Sequence, residues 1–130
     1  MTIKQVSEKY GISTDTLRYY EKRGLIPAVN RKANGIRDYT DYDCGWVEFV
    51  MCMRNAGLAV EVISEYVSLF LQGDSTTEQR KALLISEREK LAHKLELMRA
   101  TLDRLDRKIE SYEALVAQKE QQLKINKEKQ

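Results

Sequence analysis

Two cysteines, Cys44 and Cys52, are the side chains best suited to covalent chemistry in this chain, and they share one helical run, DCGWVEFVMCMRNAGL. On a single helix starting at Thr40 they stand about 12 Å apart along the axis. Cα atoms of a bridged pair lie within about 7 Å, so an intrachain disulfide would require the helix to break. Trp46, Phe49, Val50 and Met53 define the expected inward stripe. Cys44 is then expected on the opposite side, near Glu48 and Asn55, and Cys52 at the stripe's edge, about 110° from its centre. Two readings of Cys52 stay open: a small packed hydrophobe, or a marginal thiol that reacts as its thiolate. Arg54 sits about 200° round the helix from Cys52, and Glu48 stands one turn before it, so no cation is expected beside the sulfur. A cysteine-dependent enzyme would also need a nearby base, and the single histidine, His93, lies far along the chain. No glycine-rich phosphate loop or pair of catalytic carboxylates is present. An enzyme is not expected.

The second candidate chemistry is phosphate and base recognition. The formal net charge is only +2, but it is unevenly spread. Residues 1–37 carry Lys4, Lys9, Arg18, Lys22, Arg23, Arg31, Lys32 and Arg37 against Glu8, Asp15 and Glu21. Residues 38–75 carry Arg54 alone against Asp38, Asp41, Asp43, Glu48, Glu61, Glu65 and Asp74. A basic N-terminal block is the electrostatic footprint of a phosphate-facing surface. Within it, TDTLRYYEKRG reads as a short helix. With Leu17 inward, Asp15, Arg18, Tyr19 and Lys22 point away while Ser13 and Tyr20 fall near the inward side. Thr14 and Thr16 at its start can approach a base methyl, Arg18 can bridge guanine or clamp phosphate, and Tyr19 can donate to phosphate.

The elements that must hold these residues follow from their caps. Thr2 opens a helix whose face is Ile3, Val6 and Tyr10, with Gly11 as its stop. Ser13 caps the second helix and Gly24 ends it. The intervening turn is short, which makes a helix–turn–helix. VNRKANGIRDYT then holds Asn34-Gly35, predicting a type I′ β-hairpin, or wing. TDYD at residues 40–43 is a Thr-x-x-Asp capping box for a helix reaching about Asn55 and stopping at Gly57. Another, carrying Val60, Ile63, Val67 and Phe70 on one face, ends at Gly73. After Asp74 the chain is charged and free of glycine and proline. There Leu91, Leu95, Met98, Leu102, Leu105, Ile109, Tyr112 and Val116 recur at alternating spacings of four and three, a heptad seam with Leu91 at d. Over 91–116 that helix is about 39 Å long, too long to bury the seam on a small head, so it is expected to pair with a second copy. Residues 119–130, with Leu123 alone on the seam, are expected to fray.

Three strings, TLRYYEKRGLIP, NGIRDYTDYD and MRNAGL, resemble in order and spacing the MerR family of bacterial transcription regulators, over roughly residues 2–73. The resemblance implies a mainly α fold: a winged helix-turn-helix head with connecting helices over 1–73, and a long C-terminal helix over 74–118 forming an antiparallel coiled-coil dimer. It implies a homodimer that binds double-stranded promoter DNA at a pseudo-palindromic operator and distorts it, so that RNA polymerase is engaged indirectly, through the DNA. It places Thr14, Arg18, Tyr19 and Tyr20 on the recognition helix and Arg37 and Tyr39 on the wing. Arg54 either reaches phosphate or pairs with Glu61 or Glu65.

The resemblance extends to the signal. Metal-sensing members use several cysteines at the start of the coiled coil and beyond it, and no cysteine follows Cys52. A soft metal needs several sulfur or nitrogen ligands, and an iron–sulfur cluster needs more cysteines still; no metal and no cofactor are expected. WVEFVMCMRNAGL is similar to the branch that responds to aldehydes and other electrophiles, where a lone cysteine here is the sensing thiol. That implies Cys52 as the sensor; the alternative is a reversible ligand at the junction of head and coil, with Cys52 structural. A coiled-coil protein-interaction module is the more distant rival and would leave the basic wing without a use. The N-terminus lacks a signal-peptide core and no apolar stretch is long enough to span a bilayer, so a cytoplasmic setting with reduced thiols and no membrane partner is expected.

Overall fold

A computed structural model describes residues 1–129; Gln130, the end of the expected frayed segment, lies outside the described residues. The described residues form five α-helices: α1 (Ile3–Tyr10), α2 (Thr14–Arg23), α3 (Asp41–Asn55), α4 (Val60–Leu71) and, after a 3-10 turn at Asp74–Thr76, α5 (Thr77–Lys129). No strand forms among the described residues; the wing closes on one antiparallel bridge between Arg31 and Arg37.

The caps explain the boundaries. The Thr2 hydroxyl accepts from the Gln5 amide and the Gln5 side chain answers to the Thr2 amide, a complete capping box. Ser13 accepts from Thr16 N at 3.0 Å, and Gly11 and Gly24 close α1 and α2 in the left-handed conformation. The predicted Thr40 box is present. Asp43 Oδ2 accepts from Thr40 N at 2.9 Å and from Thr40 Oγ1 at 3.0 Å, while Asp43 N donates to Thr40 Oγ1 at 3.2 Å. The same buried carboxylate also accepts from Asn30 N at 3.3 Å. One acidic side chain therefore starts α3 and anchors the entry to the wing.

The wing departs from the predicted type I′ hairpin. That turn needs positive φ at both central residues, and among the described residues only glycines, Gly35 included, have positive φ. Asn34 instead accepts the Ile36 amide on its side-chain oxygen at 3.2 Å. The turn is closed by Gly35 N donating to Lys32 O at 2.9 Å and Lys32 N donating to Ile36 O at 2.9 Å. The asparagine spends its polarity on a local loop bond rather than on a tight two-residue reversal.

Two compact units divide the chain, Met1–Arg88 and the stretch from Glu89 onward. The first keeps its apolar side chains in one cluster, with Val6, Leu17, Leu25, Val47, Val50 and Ile63 almost fully buried. An aromatic group, Trp46, Phe49, Tyr66 and Phe70, joins α3 to α4, with Trp46 and Phe70 centroids 5.0 Å apart. The end of α4 is tied to the start of α5. Thr76 Oγ1 lies 2.6 Å from the Leu69 carbonyl and accepts from Arg80 Nε at 3.1 Å, and the Arg80 guanidinium sits 5.3 Å over the Phe70 ring. The first turns of α5 thus belong with the head, beyond the expected boundary at residue 73. In the second unit the helix continues without a break through 119–129, where fraying was expected. Among the described residues no helix is long and apolar enough to cross a membrane.

Asp43→Ala removes a cap and the wing anchor together. The expected loss is about 2 kcal/mol of stability, from one N-cap and one charge-assisted bond, read as a lower urea midpoint at unchanged slope.

Candidate nucleic-acid interface

The exposed face of α2 presents the residues that its periodicity selects. Arg18 and Tyr19 are exposed. Arg18 Nη1 donates to Asp15 Oδ1 at 3.0 Å and lies 3.4 Å from Thr14 Oγ1, which draws the guanidinium toward the helix N-terminus. Thr16 is half-buried and its hydroxyl is 2.8 Å from Ser13 Oγ, so it serves the cap. Thr14 is half-buried beside Arg18.

Glu21 joins this face to the wing. It accepts from Val29 N at 2.8 Å and from Arg37 Nε at 2.8 Å, and Arg31 stands 3.6 Å away. Burial pushes its carboxyl up, but the Arg37 and Val29 hydrogen bonds and the charges of Arg37 and Arg31 outweigh that and hold it below the usual carboxylate range. Arg31 and Arg37 face each other across the bridge, where like charges repel; the carboxylate between them makes the pairing favourable. Glu21 is absent from the residues selected by sequence. The signal was there, since it is an isolated acid in a basic stretch, one turn from Leu25.

Other expected contacts sit elsewhere. Tyr20 is buried in the head core, as its position near Leu17 implies, and its hydroxyl is raised by burial against the opposing charge of Arg54. Tyr39 is 2% exposed, and its buried hydroxyl has no hydrogen-bond partner among the described residues. Its ring is a core element at the base of the wing, and burial raises its hydroxyl against the charges of Arg37 and Arg18. Both rings line the floor of the face and do not stand on it. Arg54 pairs with neither Glu61 nor Glu65. Its Nη1 donates to Leu58 O at 2.6 Å, closing the α3–α4 turn, while Glu61 lies 3.9 Å from Arg23.

The two thiols are reversed from part of their expected placement. Cys44 is buried and Cys52 exposed. The buried positions of α3 are Asp43, Cys44, Trp46, Val47 and Val50, a sector wider than a single stripe, because α3 is covered on a second side by α1. There the Tyr10 hydroxyl donates to Glu48 Oε1 at 2.7 Å. Burial, then Glu48, then the neighbouring Cys44 raise that hydroxyl's pKa. Cys52 lies diametrically across the helix from Asp43 at 100° per residue, on the outward face.

A short helix–turn–helix with an exposed Arg-Tyr face, braced to a basic wing, defines a DNA-binding regulator head. Residues 1–69 match the family described as MerR HTH family regulatory protein, and the chain belongs to that family. It is 54% identical over 91 residues to the HTH-type transcriptional regulator AdhR of Bacillus subtilis (strain 168), a match covering 70% of this chain and 65% of that protein, slightly under two thirds of its length. Among solved structures, a MerR family transcriptional regulator from Listeria monocytogenes superposes with a TM-score of 0.97 at 40% identity, covering 100% of this chain and 99% of that one. HiNmlR, a MerR family regulator lacking the sensor domain and solved bound to promoter DNA, superposes with a TM-score of 0.80 at 33% identity, covering 89% and 92%. This chain is a DNA-binding transcriptional regulator of the MerR family, and its relatives are regulators rather than enzymes.

Because the Glu21 carboxyl titrates below its unfolded value, its stabilisation is complete above that value, 4.5, and is lost as pH falls through the folded one. Glu21→Gln is expected to lower stability by about 2 kcal/mol at neutral pH and to flatten the fall in stability below about pH 5. Urea unfolding across that pH range reads both effects.

Proposed function

We propose that the protein works as a homodimer that binds a pseudo-palindromic operator inside a promoter and activates transcription by distorting the DNA, with Cys52 sensing aldehydes or related electrophiles. The observation that carries the sensing reading is the contrast between the two thiols: one is sealed in the head core, the other faces outward on α3. The sulfur of Cys52 adds, as thiolate, to the carbonyl carbon of the aldehyde. The C=O π pair moves to oxygen, which takes a proton from water, and a hemithioacetal forms with no change in oxidation state. The adduct puts a hydroxyl and new bulk on the helix that carries the aromatic contacts to α4, and so biases how the head is held.

The dimer reading is supported by the seam. All eight residues from Leu91 to Val116 at the a and d positions are between 39% and 65% exposed in the single chain. A stripe of that length left in water forfeits about 25 cal/mol for each Å² of apolar surface, and pairing with an equivalent stripe recovers it. Two heads on one paired helix would present two Arg18-Tyr19 faces at fixed separation, which suits half-sites of a pseudo-palindrome. Bending DNA costs a few kcal/mol, which contacts from α2 and the wing of both copies offset. RNA polymerase is then reached through the promoter DNA alone.

Arg18→Ala is expected to weaken operator binding roughly 10- to 100-fold without changing the sedimentation coefficient; unchanged affinity in an anisotropy titration would move the reading face elsewhere. For the sensor, promoter output with and without formaldehyde is compared between wild type and Cys52→Ser, at protein levels matched by immunoblot. Loss of induction with operator binding retained is expected. Normal induction by Cys52→Ser would sink the sensing reading and favour a reversible ligand at the junction of head and coil as the signal.

A further inference from the structure

We infer that Asp15 reads a base: its carboxylate accepts from the N4 amino group of a cytosine in the major groove, at the base pair next to a guanine held by Arg18. This rests on the reading face of α2 proposed above and adds to that face a residue that sets sequence preference.

α2 carries two acids, Asp15 and Glu21, and they are used differently. Glu21 is turned into the wing, its side chain 12% exposed and held by Arg37, Arg31 and the Val29 amide. The Asp15 side chain is 93% exposed, and among the described residues it is bonded to Arg18 Nη1 alone, at 3.0 Å. The start of α2 does not need it as a cap, because Ser13 Oγ already accepts the Thr16 amide. A negative charge in the first turn steadies a helix, but that benefit does not require the bond to Arg18. The bond sets the carboxylate on the same side as the guanidinium, facing what Arg18 faces.

Toward a duplex such a charge is a liability. Phosphates repel it, and of the polar groups on the major-groove floor only the amino groups of cytosine and adenine are donors. Adenine sets its N7 acceptor beside N6, against a carboxylate, whereas cytosine shows no acceptor on that edge. Cytosine N4 is therefore the group that suits Asp15. The helix geometry places it. The hydrogen bonds of Arg18 run through Nη1, to Asp15 and Thr14, which leaves Nε and Nη2 for O6 and N7 of a guanine. Asp15 stands three residues nearer the N-terminus of α2, about 4.5 Å along the axis, against a rise of about 3.4 Å per base pair. With Arg18 on guanine, the carboxylate comes over the neighbouring pair. The bond between them is kept on docking, so each side chain holds the other in place and less rotamer freedom is lost on binding.

The test is selection from a randomised double-stranded DNA library by the full-length wild type, Asp15→Ala, Asp15→Asn and Arg18→Ala, followed by sequencing of the bound pools. Circular dichroism confirms that all four are equally helical. Wild type is expected to select a guanine, with cytosine at the adjoining pair favoured about 10-fold over other bases. Asp15→Ala is expected to keep the guanine and lose the cytosine preference. Asp15→Asn is expected to exchange cytosine for adenine, whose edge a side-chain amide matches with both its groups. A wild-type pool without cytosine beside the guanine, or Asp15 variants that leave the adjoining base unchanged, would overturn the inference. So would a change confined to the guanine itself, which would make Asp15 only a brace for Arg18. If Arg18→Ala selects the same guanine as wild type, the reading face of α2 falls and this inference falls with it.

Discussion

The Glu21 carboxylate is the contact on which the reading surface depends. It leaves α2, accepts the Val29 amide, and holds Arg37 and Arg31 from both sides of the wing. Without a charge there, two arginines would oppose each other across a single bridge, and the wing has no ladder of strand hydrogen bonds to fall back on. The two arginines of the wing are therefore set in place by a negative side chain. A half-buried carboxylate with three such partners is worth more than an exposed ion pair, because each partner is charged or a backbone donor.

α3 supplies the second constraint. It is covered on one side by α4 through the aromatic group and on another by α1 through Tyr10 and Glu48. The outward sector, which includes Gly45, Glu48 and Asn55, remains for solvent, and Cys52 lies in it. A modification on that sector leaves the core packing intact and still meets the helix through which the head core and α4 are connected. The same helix begins at Asp43, whose carboxylate also holds Asn30 at the wing's entry. One rigid element thus touches the wing, the head core and the junction to α5.

Much of this was legible in the sequence where a local rule decides. The Thr40 box, the Ser13 cap and the glycine stops were read correctly because each depends on residues within four positions. The outward face of α2 was correct because Leu17 sets a single inward direction. Reading failed where a helix is buried on two sides. A one-stripe wheel put Cys44 outside, although it packs beside Tyr10, and family resemblance counted Tyr39 as a contact although its ring is core. Asn34-Gly35 misled for a different reason: the asparagine side chain competes with its own backbone, and the turn type follows that bond. Glu21 escaped because its role needs Arg31, Arg37 and Val29 to be brought round a loop, which no spacing rule expresses.

The chain has a single tryptophan, and it stands amid Tyr42, Phe49, Tyr66 and Phe70. Intrinsic fluorescence excited at the indole's red edge therefore originates from one site, the seam between α3 and α4. The protein carries its own optical gauge of that junction, and wavelength or lifetime changes on adding DNA or electrophile can be read as events there without attaching any dye.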